Sequence, residues 1–97
     1  MSKVSQVDAS RMAVQGDMLV ADALELRAAG EALLGTLASP VTVDLAGAGA
    51  VGSAGVSVLL CWMRHAEKLG KRLIFINMPD KMYDVSRVSG LDGVIPT

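Results

Sequence analysis

Cysteine, aromatic residues and an excess of charge of either sign are all scarce in this sequence. Cys61 is the only cysteine among 97 residues, which excludes an internal disulfide. Phenylalanine, tyrosine and tryptophan occur once each, and nine Lys and Arg are balanced by ten Asp and Glu. Nucleic-acid surfaces combine clustered cations with stacking rings, so this composition argues against a nucleic-acid partner.

Long apolar runs and metal-binding patterns are also missing. No uninterrupted stretch approaches the roughly 18 to 20 apolar residues of a membrane span. The first ten residues, MSKVSQVDAS, have neither an apolar signal core nor a cleavage-like site, so we expect a soluble cytoplasmic protein. His65 is the only histidine and has no second histidine or cysteine at ligand spacing, so we expect no metal and no cofactor.

The chain does contain enough apolar residues, 52% of the total, to form one core in a single domain over residues 1–97. Alternating, β-branched segments predict strands, whereas apolar residues three and four apart predict helices. The predicted order is strands at 4–7 and 12–15, a helix opened by a capping box at Asp22, a strand at 41–45, a helix at 53–69, a strand at 72–77 and a helix at 79–88. This order predicts an α/β fold, a small mixed sheet of about four strands flanked by three to four helices.

The stretch DLAGAGAVGSAG, residues 44–55, spells G-x-G-x-x-G through Gly47, Gly49 and Gly52. A dinucleotide-binding turn with this pattern also needs an acidic residue about 20 positions later and a second mononucleotide-binding half. The next predicted strand ends at Asn77 rather than at an acid, and too little chain remains for a second half. We therefore interpret Gly47 and Gly49 as permissive turn residues, and a nucleotide-binding domain is the least favoured alternative.

Ser53 follows these glycines and has two interpretations. A serine directly before an apolar helix is a common N-cap, whose hydroxyl accepts a hydrogen bond from the first turn. However, Ser53 also lies beyond the carboxyl end of a strand, where open α/β sheets bind ligands, and Ala54 and Gly55 leave the helix start bare. A phosphate on Ser53 would meet the positive end of the helix, so Ser53 is a candidate phospho-acceptor or switch.

Catalysis by Ser53 is not supported. Asp44, Ser53 and His65 have the residue types of a catalytic triad, but Ser53 and His65 lie three helical turns apart, about 18 Å at 1.5 Å per residue. They cannot hydrogen-bond within one chain, and we predict a protein that is not an enzyme.

The helix after Ser53 is apolar on all sides in its first half. Between Ala54 and Met63 the only polar residues are Ser57 and the weakly polar Cys61. A helix that lies on one sheet needs a single apolar stripe. Either further helices cover the other faces, or an apolar patch beside Ser53 stays exposed and marks a protein interface.

The order of these motifs resembles the STAS domain family, which includes bacterial anti-sigma-factor antagonists and the cytoplasmic part of sulfate transporters. The family pattern is a strand D-L-S, a short loop, and D-S/T-x-G before a helix. Residues 44–46, DLA, resemble the first element, and residues 52–55, GSAG, resemble the second, with Gly52 where the family usually has Asp. The resemblance covers roughly residues 11 to 97 and implies a small sheet of about four strands flanked by helices.

Within this family, the C-terminal stretch is most similar to the small STAS subunit of the Mla phospholipid-transport ABC system, through Lys81, Tyr83 and the Ile95-Pro96 tail. That resemblance implies an accessory subunit that binds the ATPase subunit of the transporter at the inner membrane. The alternative is an anti-sigma-factor antagonist, whose loop serine is phosphorylated by a serine kinase that is also the anti-sigma factor. Both alternatives imply a protein partner, and the residues expected to bind it are Asp44, Gly52, Ser53, Ala54, Gly55, Val56, Ser57, Lys81 and Tyr83.

Overall fold

The computed structural model describes residues 2–81, which form a four-stranded sheet and two complete helices. The elements are β1 (Lys3–Asp8), β2 (Arg11–Met18), α1 (Val20–Leu34), β3 (Val41–Val51), α2 (Ser53–Lys68) and β4 (Leu73–Ile76). The predicted α/β fold is confirmed, but these residues hold two helices rather than three to four. Residues 80–81 are helical where the third helix is predicted, and residues 82–88 of that helix lie outside the described part.

The sheet has the strand order β1-β2-β3-β4 and is mixed, as the sequence predicts. β1 and β2 pair antiparallel across a turn at residues 9–10, whereas β2–β3 and β3–β4 are parallel. Each parallel connection is made by a helix, α1 or α2, because parallel neighbours need a long crossover. In residues 2–81, no helix combines the length and the apolar character that crossing a membrane requires.

β3 is longer than predicted, and the first two glycines of the G-x-G-x-x-G pattern, Gly47 and Gly49, lie within it. Gly47 pairs with Gln15 of β2, so Gly47 and Gly49 are strand residues and the interpretation as a surface turn is wrong. A Cβ on Gly47 would lie 2.8 Å from the carbonyl oxygen of Val14, and one on Gly49 would lie 2.5 Å from Oδ1 of Asp17. These two glycines therefore allow β2 to approach β3 closely.

The start of α1 also differs from the prediction. The N-cap is Leu19, three residues before Asp22. The leucine side chain has no hydrogen-bond acceptor, so it cannot cap the helix. Asp22 acts from inside the first turn, where its Oδ2 accepts a hydrogen bond of 3.4 Å from the Leu19 amide. The predicted capping box, with Asp22 as the N-cap and Glu25 three residues later, is therefore wrong. Asp22 is instead the third residue after the N-cap and supplies only the reciprocal half of a capping box, because leucine has no oxygen to complete it.

The core lies between the sheet and the two helices and is centred on Trp62 of α2. The indole ring is fully buried, packs on Gly30 of α1, and donates a hydrogen bond of 3.2 Å from Nε1 to the Arg27 carbonyl oxygen. The sheet and α1 thus cover most of the apolar surface of α2. The buried residues on its inner faces are Gly55, Val56, Val58, Leu59, Trp62 and Ala66.

Candidate partner-binding site

Ser53 is the first residue of α2, and its side chain is exposed. Gly52 occupies the N-cap position in an extended conformation, with φ −121° and ψ −170°, and no side chain caps the helix. The N-cap interpretation of Ser53 is therefore wrong, because the helix begins at Ser53 itself, one residue earlier than that role requires. Among residues 2–81, no side chain covers the Ser53 hydroxyl, and its role as a phospho-acceptor or partner contact stays a prediction.

The first turn of α2 is anchored to the carboxyl end of β2. The Gly52 amide donates to the Met18 carbonyl oxygen at 3.5 Å, and the Gly52 carbonyl accepts from Gly55 at 3.0 Å. Gly55 is buried, and Val56 is only 3% exposed. These two predicted partner contacts therefore face the core, where they help to hold the first turn of α2, and their part in binding a partner stays a prediction.

Exposed apolar side chains at the start of α1 lie near Gly52, the neighbour of Ser53, and the sequence analysis did not identify them. Leu19 is 39% exposed, Val20 is 82% exposed, and a Cβ on Gly52 would lie 3.9 Å from Cδ2 of Leu19. We call Leu19, Val20, Gly52 and Ser53 the Ser53 surface. The sequence contains one indication of these exposed residues. Val20 and Leu24 are four residues apart, so they share a face of α1, and this face is not the buried one.

Asp44 lies far from the Ser53 surface. Its Oδ1 accepts hydrogen bonds from the Ala46 amide at 2.9 Å and from Nδ2 of Asn77 at 3.1 Å. The bond from Ala46 and then that from Asn77 hold the pKa of Asp44 below its ordinary value. β3 continues from Asp44 to Val51, which pair with Ala13 and Met18 of β2, with two register shifts between them. Because Ala13 and Met18 are five residues apart, Asp44 and Val51 are separated by about 16 Å at roughly 3.3 Å per residue. The structure therefore does not bring Asp44 to Ser53, because β3 does not end at residue 45.

The other predicted contact residues lie at different distances from Ser53. Ala54 is half-buried and Ser57 is exposed, and Oγ of Ser57 donates to the Ser53 carbonyl oxygen at 3.2 Å. Lys81 is exposed at the end of the described residues, and Tyr83 lies outside them. Within residues 2–81, no cluster of three or more His, Cys, Asp or Glu side chains is placed to hold a metal ion.

Gly52→Asp is expected to stabilise the domain by a few tenths of a kcal/mol. Aspartate at an N-cap accepts a hydrogen bond from the first turn, which glycine cannot do. The position has room, because the nearest atom to a new Cβ is Cδ2 of Leu19 at 3.9 Å. Urea unfolding measures the difference, with Gly52→Ala as the control that has a Cβ but no acceptor. An aspartate variant less stable than the alanine variant would contradict the assignment of Gly52 as the N-cap.

Comparison with known proteins agrees with this architecture. A family model described as "Mlab, STAS domain" matches residues 1–96, and no curated protein matches the chain. The unphosphorylated anti-sigma factor antagonist SpoIIAA has a TM-score of 0.73 at 18% identity, covering 98% of this chain and 85% of that chain. The phosphorylated Bacillus SpoIIAA has a TM-score of 0.70 at 20% identity, covering 98% and 88%.

A third similar structure is an anti-sigma factor antagonist from Mycobacterium paratuberculosis, with a TM-score of 0.72 at 24% identity, covering 99% of this chain and 82% of that chain. All three identities are low, so these likenesses concern the fold. They agree with the mixed sheet and the two helical crossovers found here. Because the family model matches residues 1–96, nearly the whole length, this chain belongs to the STAS domain family.

Proposed function

We propose that this chain is a non-enzymatic regulatory module that binds a protein through the Ser53 surface, as an anti-sigma-factor antagonist switched by phosphorylation of Ser53. The observation that carries the proposal is the exposed serine in the first turn of α2, whose neighbour Gly52 lies beside the exposed Leu19 at the start of α1. The fold likeness to SpoIIAA, which has been solved in unphosphorylated and phosphorylated forms, supports it.

The local electrostatics suit a phosphate on Ser53. The first amides of a helix have no intrahelical partners and form its positive end. The first turn of α2 contains no acidic residue that would compete for them. A phosphoserine there would add about two negative charges without unfolding the helix. The same charge would be unfavourable against an apolar partner surface, so phosphorylation would release the partner while the domain stays folded.

A second candidate function is that of an accessory subunit bound to the ATPase of a phospholipid-transport ABC transporter. The family model described as "Mlab" supports this candidate, as does Gly52 in the place where anti-sigma antagonists usually have Asp. The protein would then act at the cytoplasmic face of the inner membrane through its partner. Both candidates use the Ser53 surface, and they differ in whether the partner transfers phosphate to Ser53.

Ser53→Glu is expected to weaken the partner complex by about thirtyfold or more, ~2 kcal/mol, while the isolated domain keeps its thermal stability. In the free domain the carboxylate faces water and the positive end of α2, which changes stability by about 0.3 to 1 kcal/mol at most. In the complex it would be desolvated beside Leu19 and Val20. The test combines a thermal melt with co-purification of the tagged chain from native lysate.

Ser53→Gln is the matched control, because it has the size of the glutamate variant without its charge. It should retain most of the binding. Equal co-purification by the wild type and the glutamate variant would contradict the proposal. Mass spectrometry of the bound protein separates the two candidates: a serine kinase that phosphorylates Ser53 supports the first, and a transporter ATPase that leaves Ser53 unmodified supports the second.

A further inference from the structure

An open groove runs along the outer side of α1 and α2, next to the Ser53 surface. Its first half has a volume of about 270 Å³ and is mainly apolar. Leu24, which is 80% exposed, forms one wall, and Ala54 and Ser57 form the other. An exposed leucine beside small residues leaves apolar surface that a partner side chain can cover.

The second half of the groove is basic and has a volume of about 200 Å³. It is lined by Arg27, Glu31, Cys61, Arg64, His65 and Lys68. Arg27 and Cys61 line both halves, so the two halves form one continuous groove. Along α2 it extends from Ala54 to Lys68, about 21 Å at 1.5 Å per residue. We call this feature the α1–α2 groove.

Among residues 2–81, Glu31 is the only carboxylate that lines the basic half, and it is already engaged. Its Oε2 accepts a hydrogen bond of 3.0 Å from Nε of Arg27, and its Oε1 lies 3.5 Å from Nδ1 of His65. Arg64 and Lys68 have no ion pair with any other residue in the range 2–81. Cations in a last helical turn stabilise the helix dipole, which accounts for Lys68. Arg64 precedes that turn and needs a different explanation.

The groove is also held in a fixed shape. The packing of Trp62 on Gly30 sets the distance between the helices, and the bond from its indole to the Arg27 carbonyl sets their register. A preformed, elongated groove with one apolar and one basic half matches an amphipathic helix, whose apolar side chains cover the first half. Carboxylates on the same helix would meet the second half.

We propose that the α1–α2 groove binds an amphipathic, acidic helix of the protein partner. Its apolar residues would cover Leu24 and Ala54, and its carboxylates would lie against Arg64 and Lys68. The inference rests on the proposed function, since the partner is the protein held at the Ser53 surface, and it adds the chemistry of the segment that is recognised.

The test begins with a photo-crosslinking residue, p-benzoylphenylalanine, in place of Ala28, which is exposed beside Leu24 and Arg27 at the rim of the groove. The same residue in place of Val7, on β1, is the matched control. After illumination in native lysate, mass spectrometry identifies the attached segment. A helical segment with several carboxylates, captured from Ala28 and not from Val7, supports the proposal. Attachment to a segment without carboxylates, to residues 82–97 of this chain or to a second copy overturns it.

A synthetic, fluorescein-labelled peptide with the captured sequence is then titrated with the intact chain, and its anisotropy reports binding. The double variant Arg64→Glu with Lys68→Glu should bind the peptide at least about tenfold more weakly. The matched control is Lys3→Glu with Arg11→Glu, which makes the same change in net charge on β1 and β2 and should bind normally. A peptide with lysine in place of its glutamates should recover binding to the first variant only. Equal losses in both double variants overturn the proposal.

The outcomes separate this inference from the proposed function. If Ser53→Glu abolishes partner binding and charge reversal at Arg64 and Lys68 does not affect it, the proposed role of the groove is overturned. The proposed role of the Ser53 surface then stands. A partner lost on charge reversal and retained with Ser53→Glu supports the groove and contradicts the Ser53 switch. If neither native lysate nor crosslinking yields a partner, both are contradicted.

Discussion

Trp62→Ala is expected to lower the free energy of unfolding by about 3 to 5 kcal/mol. The indole is fully buried, joins α2 to α1, and makes a hydrogen bond that alanine cannot make. The remaining cavity cannot collapse easily, because Gly30 opposite has no side chain to move into it. Total stabilities of small domains are about 5 to 15 kcal/mol, so this loss is a large share. Urea unfolding followed by circular dichroism measures it.

A double-mutant cycle with Gly30→Ala tests the contact itself. In the wild type, a Cβ on Gly30 would overlap the indole ring, so Gly30→Ala should cost about 2 kcal/mol, although alanine favours helix by about 1 kcal/mol. In the Trp62→Ala background the overlap is gone, and the same change should be stabilising. Gly35→Ala is the control, because its Cβ would meet only the Ala32 carbonyl at 3.4 Å. Additive effects of the two variants would show that Gly30 and Trp62 do not touch.

The elements with a strong local pattern could be predicted from the sequence. Val41, Val43 and Leu45 alternate with polar residues, and all three are buried in β3. The parallel order of the sheet followed from the alternation of strands and helices. The start of α2 at Ser53 was also predicted, because the polar residue stands directly before an apolar run. In these cases the local pattern and the tertiary environment favour the same structure.

The continuation of β3 through residues 46–51 could not be predicted in this way. Glycine and alanine have low strand propensity, and a run of them resembles a loop. The segment is extended because β2 lies so close to it that larger side chains at Gly47 and Gly49 would collide with β2. Only the pairing partner reveals this requirement. The same error placed Asp44 at the site, since a strand that ended at Leu45 would have left a short loop between Asp44 and Ser53.

The α1 side of the site was missed for a related reason. Leu19, Val20 and Leu24 are ordinary core residues by type, and a sequence does not show how α1 is rotated on the sheet. The rotation follows from Gly30, which must face Trp62 because no other residue of α1 lets the indole approach so closely. Once Gly30 faces inward, Val20 and Leu24 face outward, and Leu24 lines the α1–α2 groove.

Gly55→Val is expected to lower the free energy of unfolding by about 3 kcal/mol and to weaken partner binding further than that loss alone explains. A Cβ on Gly55 would lie 2.9 Å from the Met18 carbonyl oxygen and 2.9 Å from Cγ1 of Val51. The carbonyl belongs to the backbone of β2 and cannot move cheaply, so the first turn of α2 must move instead. That turn carries Ser53, so Gly52 and Ser53 would move away from Leu19, the N-cap of α1.

The two effects are measured separately. A thermal melt gives the folded fraction, and binding of the captured partner is measured at a temperature where both proteins are folded. Gly55→Ala should give a smaller version of both effects, because alanine adds only the Cβ. Gly35→Ala is the control that should keep binding, because Gly35 lies at the other end of α1 and its Cβ would meet only the Ala32 carbonyl oxygen at 3.4 Å. Affinity that falls only with the folded fraction would show that the position of the first turn does not matter to the partner. An unchanged melt for Gly55→Val would show that α2 does not press on β2 at Met18, and the role of Gly55 in placing Ser53 would be wrong.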